Sequence, residues 1–441
     1  MRRLVWCAVA LALACGETAK TQPGPLDRIY RPTGLAVESG RLLVASSNAD
    51  LLYDDATGGS VIALDPASLD SVRVAGAVTV RSFAGDLAVA RNTPQDPAAR
   101  DPEACGTAVP GALALFATRG SNTLNTLRVA SDGKLSCDRC GIPLSGTFSD
   151  PFAVTVACGP GRASAFVGYL RSPDGGAWLT EYDLATGALR SARVGAGPVR
   201  AFAYDAARDR LYLVGLATGV PTPLHWLELG GCTLGLAAGA GGCSVGSASL
   251  ATLPPGIELR SIALAHPFPG APQRAFLTGR LYDTAAAATA GARTTDFGGR
   301  LLVVDLVDNA QGGVDVRPVG EPIDIGKGAQ DVRVLPMRTG RRDVVAAVAI
   351  DDGVLTILDD DTGAWTQFRR SDGTPSATGG PVLGHQPFGI AVDPVVTGAA
   401  ARLYVGSYGE NYVTPIDVPL DAPDQAAFAG GSQRKITGGT P

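Results

Sequence analysis

The chain has 441 residues, with 37 Lys and Arg against 42 Asp and Glu, a net charge of -5 and no long run of like charge, so nucleic acid is not an expected partner. Apolar residues make up 45%, too many for a disordered chain. More than 400 residues exceed one simple core, so the chain must divide into domains or repeat a unit around an axis.

The elements follow in chain order. Met1-Arg2-Arg3 and the apolar run Leu4–Ala14 describe a secretory signal over 1–14. The run is far short of the roughly 20 residues a spanning helix needs, and no later stretch reaches that length. Leu11-Ala12-Leu13-Ala14-Cys15 resembles the bacterial lipoprotein signal, in which the cysteine becomes the lipidated first residue of the mature protein. Ala12 stands where leucine is commoner, and ordinary secretion is the alternative. By the same resemblance, Gly16 favours anchoring in the outer membrane, facing either the periplasm or the surface. Residues 15–25 read as the lipidated cysteine and a polar tether, and 26–441 as one folded domain.

With 57 Gly and 31 Pro, turns are frequent, and short Val-, Leu-, Phe- and Tyr-rich runs take the place of helix-period segments. These runs fall into four-strand units, A to D from inside outward. The first has Gly34–Val37, Leu42–Ala45, Ser60–Leu64 and Asp70–Val74. The second has Asp86–Ala90, Ala112–Ala117, Thr123–Val129 and Lys134–Cys137. The third has Phe152–Val156, Ala165–Gly168, Trp178–Tyr182 and Ala188–Val194. The fourth has Arg200–Tyr204, Leu211–Val214 and Leu224–Leu229, with its D strand hidden in a Gly-rich insertion. The fifth has Leu259–Ala263, Ala275–Thr278, Arg300–Val304 and Val314–Val316, and the sixth Val332–Leu335, Val344–Ala349, Val354–Leu358 and Ala364–Phe368. The seventh has Phe388–Val392, Leu403–Gly406 and Tyr412–Ile416, its fourth strand supplied by Asp27–Tyr30 or Arg434–Thr437.

C strands end in an apolar residue and Asp, as in Leu64-Asp65, Tyr182-Asp183, Val304-Asp305, Leu358-Asp359 and Ile416-Asp417. Two continue to Thr186-Gly187 and Thr362-Gly363. This is hairpin chemistry: Asp accepts nearby backbone N–H groups and Gly supplies positive φ. Turns such as Gly195-Ala196-Gly197-Pro198 and Gly384-His385-Gln386-Pro387 precede the inner strands. With Leu403-Tyr404-Val405 and Tyr412-Val413-Thr414, the unit resembles the YVTN-type β-propeller repeat over nearly all of the mature chain. The expected fold is all-β, a seven-bladed β-propeller of four-stranded antiparallel blades. The resemblance is specific for fold and poor for function.

Six cysteines remain after Cys7 and Cys15. An even number in an exported chain suggests disulfides. In the seven-blade arrangement Cys105 and Cys158 lie on one face of neighbouring blades, Cys137 and Cys140 in a D-to-A turn on the other, and Cys232 and Cys243 bracket an insertion. The expected pairs are Cys105–Cys158, Cys137–Cys140 and Cys232–Cys243. Cys137-x-x-Cys140 also has zinc-knuckle or redox spacing, but no His and no second such pair is near.

His225, His266 and His385 come from separate units and offer no metal-ligand pair, so no metal is expected. No P-loop or dinucleotide fingerprint appears, and no cofactor is expected. The acidic loops Asn48–Asp55 and Asp359–Asp361 lack calcium-loop spacing. Aligned inner strands begin with Gly34, Asp86, Ala153, Arg200, Arg260, Asp331 and Gly389. Asp86, Arg200, Arg260 and Asp331, with His385 in the adjacent turn, form a candidate channel-mouth site for a small anionic ligand. An internal Arg–Asp network is the competing reading. The insertions Cys232–Pro255 and Arg280–Gly299 are expected on one face, as binding loops or as plain spacers. Two functions follow. One is a non-catalytic binding or scaffolding protein, held to the membrane by lipid on Cys15 and reaching a protein or small anionic partner through its loop-rich face. The other is a propeller enzyme, lactonase-like or quinoprotein-like, with its site at the channel mouth.

Overall fold

The computed structural model describes residues 22–66, 73–94, 101–144, 146–159, 161–215, 224–237, 241–248, 250, 257–282, 296–368, 383, 386–429 and 436–437. The expected signal segment and Cys15 lie outside them. Seven antiparallel sheets, each a meander of consecutive strands, stand in a ring as a seven-bladed β-propeller. The inner strands are Pro32–Glu38, Ala84–Ala90, Ser149–Gly159, Val199–Asp205, Ile257–Leu264, Ala329–Val334 and Pro387–Val392. Each contacts the next around the axis, and the last contacts the first.

The second strand of a blade is buried on both sides, so it reads as a continuous apolar run rather than an alternating one. Arg41–Ser46, Ala112–Thr118 and Val344–Ala349 are the clearest cases. Alternate residues face opposite neighbours. Leu43 and Ala45 pack toward the second blade, while Leu42 and Val44 pack toward the seventh. Seven apolar clusters result, one in each gap between blades.

The outer strands depart most from expectation. In the first blade the D strand is Val74–Val80, paired with Gly59–Leu64; residues 70–72 of the expected Asp70–Val74 lie outside the described residues. In the second it runs Leu135–Pro143 and continues past Cys140. In the fourth it is Ser244–Ala248, inside the Gly-rich insertion. The fifth splits its outer edge: Val314–Pro318 and Ile323–Gly326 pair with opposite halves of Asp296–Asp308. An outer strand buries one face only, so its apolar pattern is weak.

The two Thr-Gly hairpins are superimposable in their bonding. Gly187 and Gly363 donate to Asp183 and Asp359 carbonyls at 2.8 Å each, with φ of 76° and 73°. The Asp183 carboxylate also accepts from Ala185 and Thr186 N–H.

Ring closure uses the C-terminal segment. Ala427–Phe428 pairs with Ile416 and Asp417, and Ile436 bridges Val413. Ile29 does not pair with the seventh blade's third strand; its N–H donates to Thr437 carbonyl at 2.7 Å, one layer further out. Arg31 N–H then donates to Asn411 Oδ1 at 2.9 Å.

Candidate functional site

Every inner strand breaks register near its start. The bulges lie at Thr33, Gly85, Phe152, Arg200, Arg260, Gln330 and Phe388. A bulge inserts one unpaired residue and re-aims its side chain. Arg200 and Arg260 are bulged residues. Gly34, Ala153, Asp331 and Gly389 are the residues after a bulge, as is Asp86 by its bonding. The aligned ring therefore mixes two positions one residue apart, and its four charges do not form one set.

Asp86 and Asp331 occupy equivalent places. Each accepts from the N–H of the next residue at 2.9 Å. Asp331 also accepts from Ser261 Oγ and Ile390 N–H, both at 3.1 Å, and so ties three blades together. Both face Arg333, whose guanidinium lies 3.3 Å from Asp331 and 3.7 Å from Asp86 across the axis. Burial raises the Asp86 carboxyl to about 6; Arg333 opposes the shift and Asp331 adds to it. These groups form an internal network rather than a charged mouth.

Arg200 and Arg260 belong to the end of the channel shared by D-to-A turns and B-to-C loops. Arg119 pairs with Asp150 and Arg260 with Glu258 at 2.8 Å. Arg200 instead donates to the neutral Gln330 Oε1 at 3.2 Å and stands 4.7 Å over the Phe152 ring. Its buried Nε has no hydrogen-bond partner. Burial, then Arg260 and Arg280, pull its pKa down to about 9. Arg280 donates to Ala329 carbonyl at 3.1 Å and reaches Gln330 Oε1 at 3.5 Å. Phe388 of the seventh blade packs onto the cluster of the third and fourth blades, beside this group. His385 lies outside the described residues.

The cavities open at the other end, among A-to-B loops and C-to-D turns. One, of about 460 Å³, lies over the axis and is lined by Arg91, Glu103, Phe202 and Arg333. A second, of about 710 Å³, runs outward between the fifth and sixth blades and is lined by Phe268, Arg208, Arg341 and Arg342. Ala265, His266, Pro267, Gln273 and Met337 line both, so the two form one groove. Arg342 lies 5.0 Å over the Phe268 ring. His266 meets Asp343 twice, through Nδ1 at 2.9 Å and backbone N–H at 2.8 Å. At the axial end Arg91 binds Glu103 at 2.6 Å, Glu38 at 2.9 Å and Asp101 at 3.3 Å. Burial pushes Glu103 above the usual carboxylate range, against the pull of Arg91.

Disulfides build this face. Cys105–Cys158, with Cα atoms 4.9 Å apart, fastens the loop carrying Asp101 and Glu103 to the third blade. Cys232–Cys243 closes a C-to-D loop. The loop precedes the D strand Ser244–Ala248, so it lies on the face opposite Arg280–Gly299, and the two insertions do not share a face; residues 283–295 are outside the described residues. Cys137–Cys140 is also formed, but within the exposed outer strand and not in a turn. Two register shifts there, opposite Thr126, bring its two cysteines together.

Arg91, Glu103, Arg333 and His266 with Asp343 were missed as a group by the sequence reading. The available signal was an Arg directly after an inner strand, and Arg333 two residues beyond Asp331, on the same side of its strand. The acidic loop at Asn48–Asp55 is occupied internally: Asn48 binds Tyr53 and Ser82, and Asp50 takes Tyr30 and Arg31. Among the described residues no group of three or more His, Cys, Asp or Glu is arranged to hold a metal.

No family model matches the sequence, and no curated protein matches it. Among solved structures, Kuenenia stuttgartiensis hydrazine synthase superimposes with a TM-score of 0.56, at 13% identity, over 92% of this chain and 99% of that one. An ancestral GH74 enzyme superimposes with a TM-score of 0.53, at 12% identity, over 95% of this chain and 50% of the other. Identities this low show a shared fold alone.

Proposed function

We propose that this protein is an exported propeller with YVTN-type repeats, anchored in the bacterial outer membrane by lipid on Cys15, and that it works as a non-catalytic binding or scaffolding protein. The observation carrying the binding reading is the continuous groove beneath the A-to-B loops, some 460 and 710 Å³ in its two parts. Its outer half has an apolar floor with Phe268 and Met337 and an arginine rim, a surface suited to a protein segment with apolar anchors. Three disulfides support an oxidising compartment.

A photoreactive residue at Met337, against one at the exposed edge residue Trp365, tests the reading in intact cells. A discrete cross-linked species from position 337 alone supports the groove. Equal or absent cross-linking from both sites refutes it. The anchor is tested separately: Cys15→Ser should move the protein from the detergent phase to the aqueous phase. The enzyme reading keeps one observation in its favour, the Asp343 carboxylate that fixes the His266 ring in the groove.

A further inference from the structure

Among the described residues at this end of the channel, Arg200 has no carboxylate within ion-pair distance, Glu258 being taken by Arg260. Arg200 is drawn into the ring by its bulge. Its neighbours Arg119 and Arg260 are matched by Asp150 and Glu258. Arg200 has a neutral amide oxygen, an aromatic face and an unbonded Nε. Drawing a half-buried cation out of water beside other cations is unfavourable unless an anion accompanies it, and a guanidinium presents two parallel donors to any planar or tetrahedral oxyanion. Arg280 reaches the same Gln330 oxygen from the next blade, so two guanidinium groups converge on one point. Phe388 supplies an apolar wall across the axis.

We propose that this mouth binds the oxyanion head group, carboxylate or phosphate, of a small molecule, at a site separate from the groove on the opposite face. The first test is titration calorimetry of the full chain with inorganic phosphate, citrate and acetate, against chloride at matched ionic strength. Saturable binding of phosphate or citrate is expected, weakened at least tenfold in Arg200→Met. Whichever anion binds tighter identifies the head group. Gln330→Glu supplies an internal carboxylate beside Arg200; it should abolish anion binding and raise the Tm. Trp365→Ala, on the exposed outer strand of the sixth blade, should leave anion binding unchanged. Oxyanions that bind no better than chloride would overturn the proposal, as would equal binding by the parent, Arg200→Met and Gln330→Glu. Neither result bears on cross-linking from Met337, so the groove and this mouth stand or fall separately.

Discussion

At the scale of single residues, Asp86 and Asp331 show one position put to two uses. Asp331 is saturated by Ser261, Ile390, Val332 and Arg333. Removing it leaves those donors and the Arg333 charge unmatched, so Asp331→Ala should lower stability by about 3 kcal/mol in urea denaturation. Asp86 has one backbone donor and a more distant Arg333. Its folded pKa of about 6 lies above the unfolded value near 3.9. The unfolded chain therefore releases this proton first as pH rises. The contribution of Asp86 to stability is fully present below about pH 4 and is lost as pH climbs through about 6. Asp86→Asn should remove that slope: its Tm should exceed the parent's above pH 6 and converge with it near pH 4. A parent Tm that rises between pH 4 and 6 relative to the variant would contradict the burial argument.

At the scale of elements, legibility followed burial. Strands packed on both faces announced themselves as apolar runs; outer strands such as Ser244–Ala248, with Gly246 against Trp226, did not. The Asp closing each C strand was read as turn chemistry, and that is half of its role. Arg210 and Glu228, Arg274 and Asp305, and Arg402 and Asp417 join the start of strand B to the end of strand C at 2.6–2.8 Å. Arg210 and Arg274 extend to Asp308 and Asp360 of the following blade. Such clamps were invisible because the sequence shows each Arg only as a boundary residue. The channel groups were misaligned for another reason: a bulge shifts register by one without any signature in composition. The disulfides differ in the same way by element. Cys105–Cys158 closes a separation of 53 residues. Loop-closure entropy assigns it about 4 kcal/mol, against roughly 1–2 kcal/mol for a three-residue separation such as Cys137–Cys140. The exposed Cys137–Cys140 pair should be reduced first under a graded thiol series, read by alkylation mass shifts. Replacing Cys105 and Cys158 by Ala should lower the Tm and free the Asp101–Glu103 loop to proteolysis.

At the scale of the whole molecule, the edge of the seventh blade's third strand, Tyr412–Pro419, is covered only while the C-terminal segment supplies a fourth strand. Among the described residues that strand comprises Ala427–Phe428 and a bridge at Ile436. Ile436 is nevertheless 2% exposed and packs with Leu42, Ile62, Tyr404 and Val413 in the gap between the last and first blades. Ile436→Ala should therefore destabilise the whole ring by about 3 kcal/mol, although it touches only one interface, because opening any gap exposes two blade faces at once. The N-terminal residues contribute to the same cluster through Ile29, which bonds to Thr437 rather than to Tyr412–Pro419, while Tyr30 bonds to Ser46 and Asp50 of the first blade. This ordering makes the termini unequal. Removing residues 426–441 should open the edge of Tyr412–Pro419 and promote aggregation, because that strand then offers unpaired N–H and C=O groups. A chain starting at Arg31 keeps the fourth strand and should lose less, remaining monodisperse with one cooperative transition. Comparing the Tm and light scattering of the two truncations decides the matter; a larger loss from the N-terminal cut would mean that Ile29 packing, rather than strand pairing, holds the ring closed.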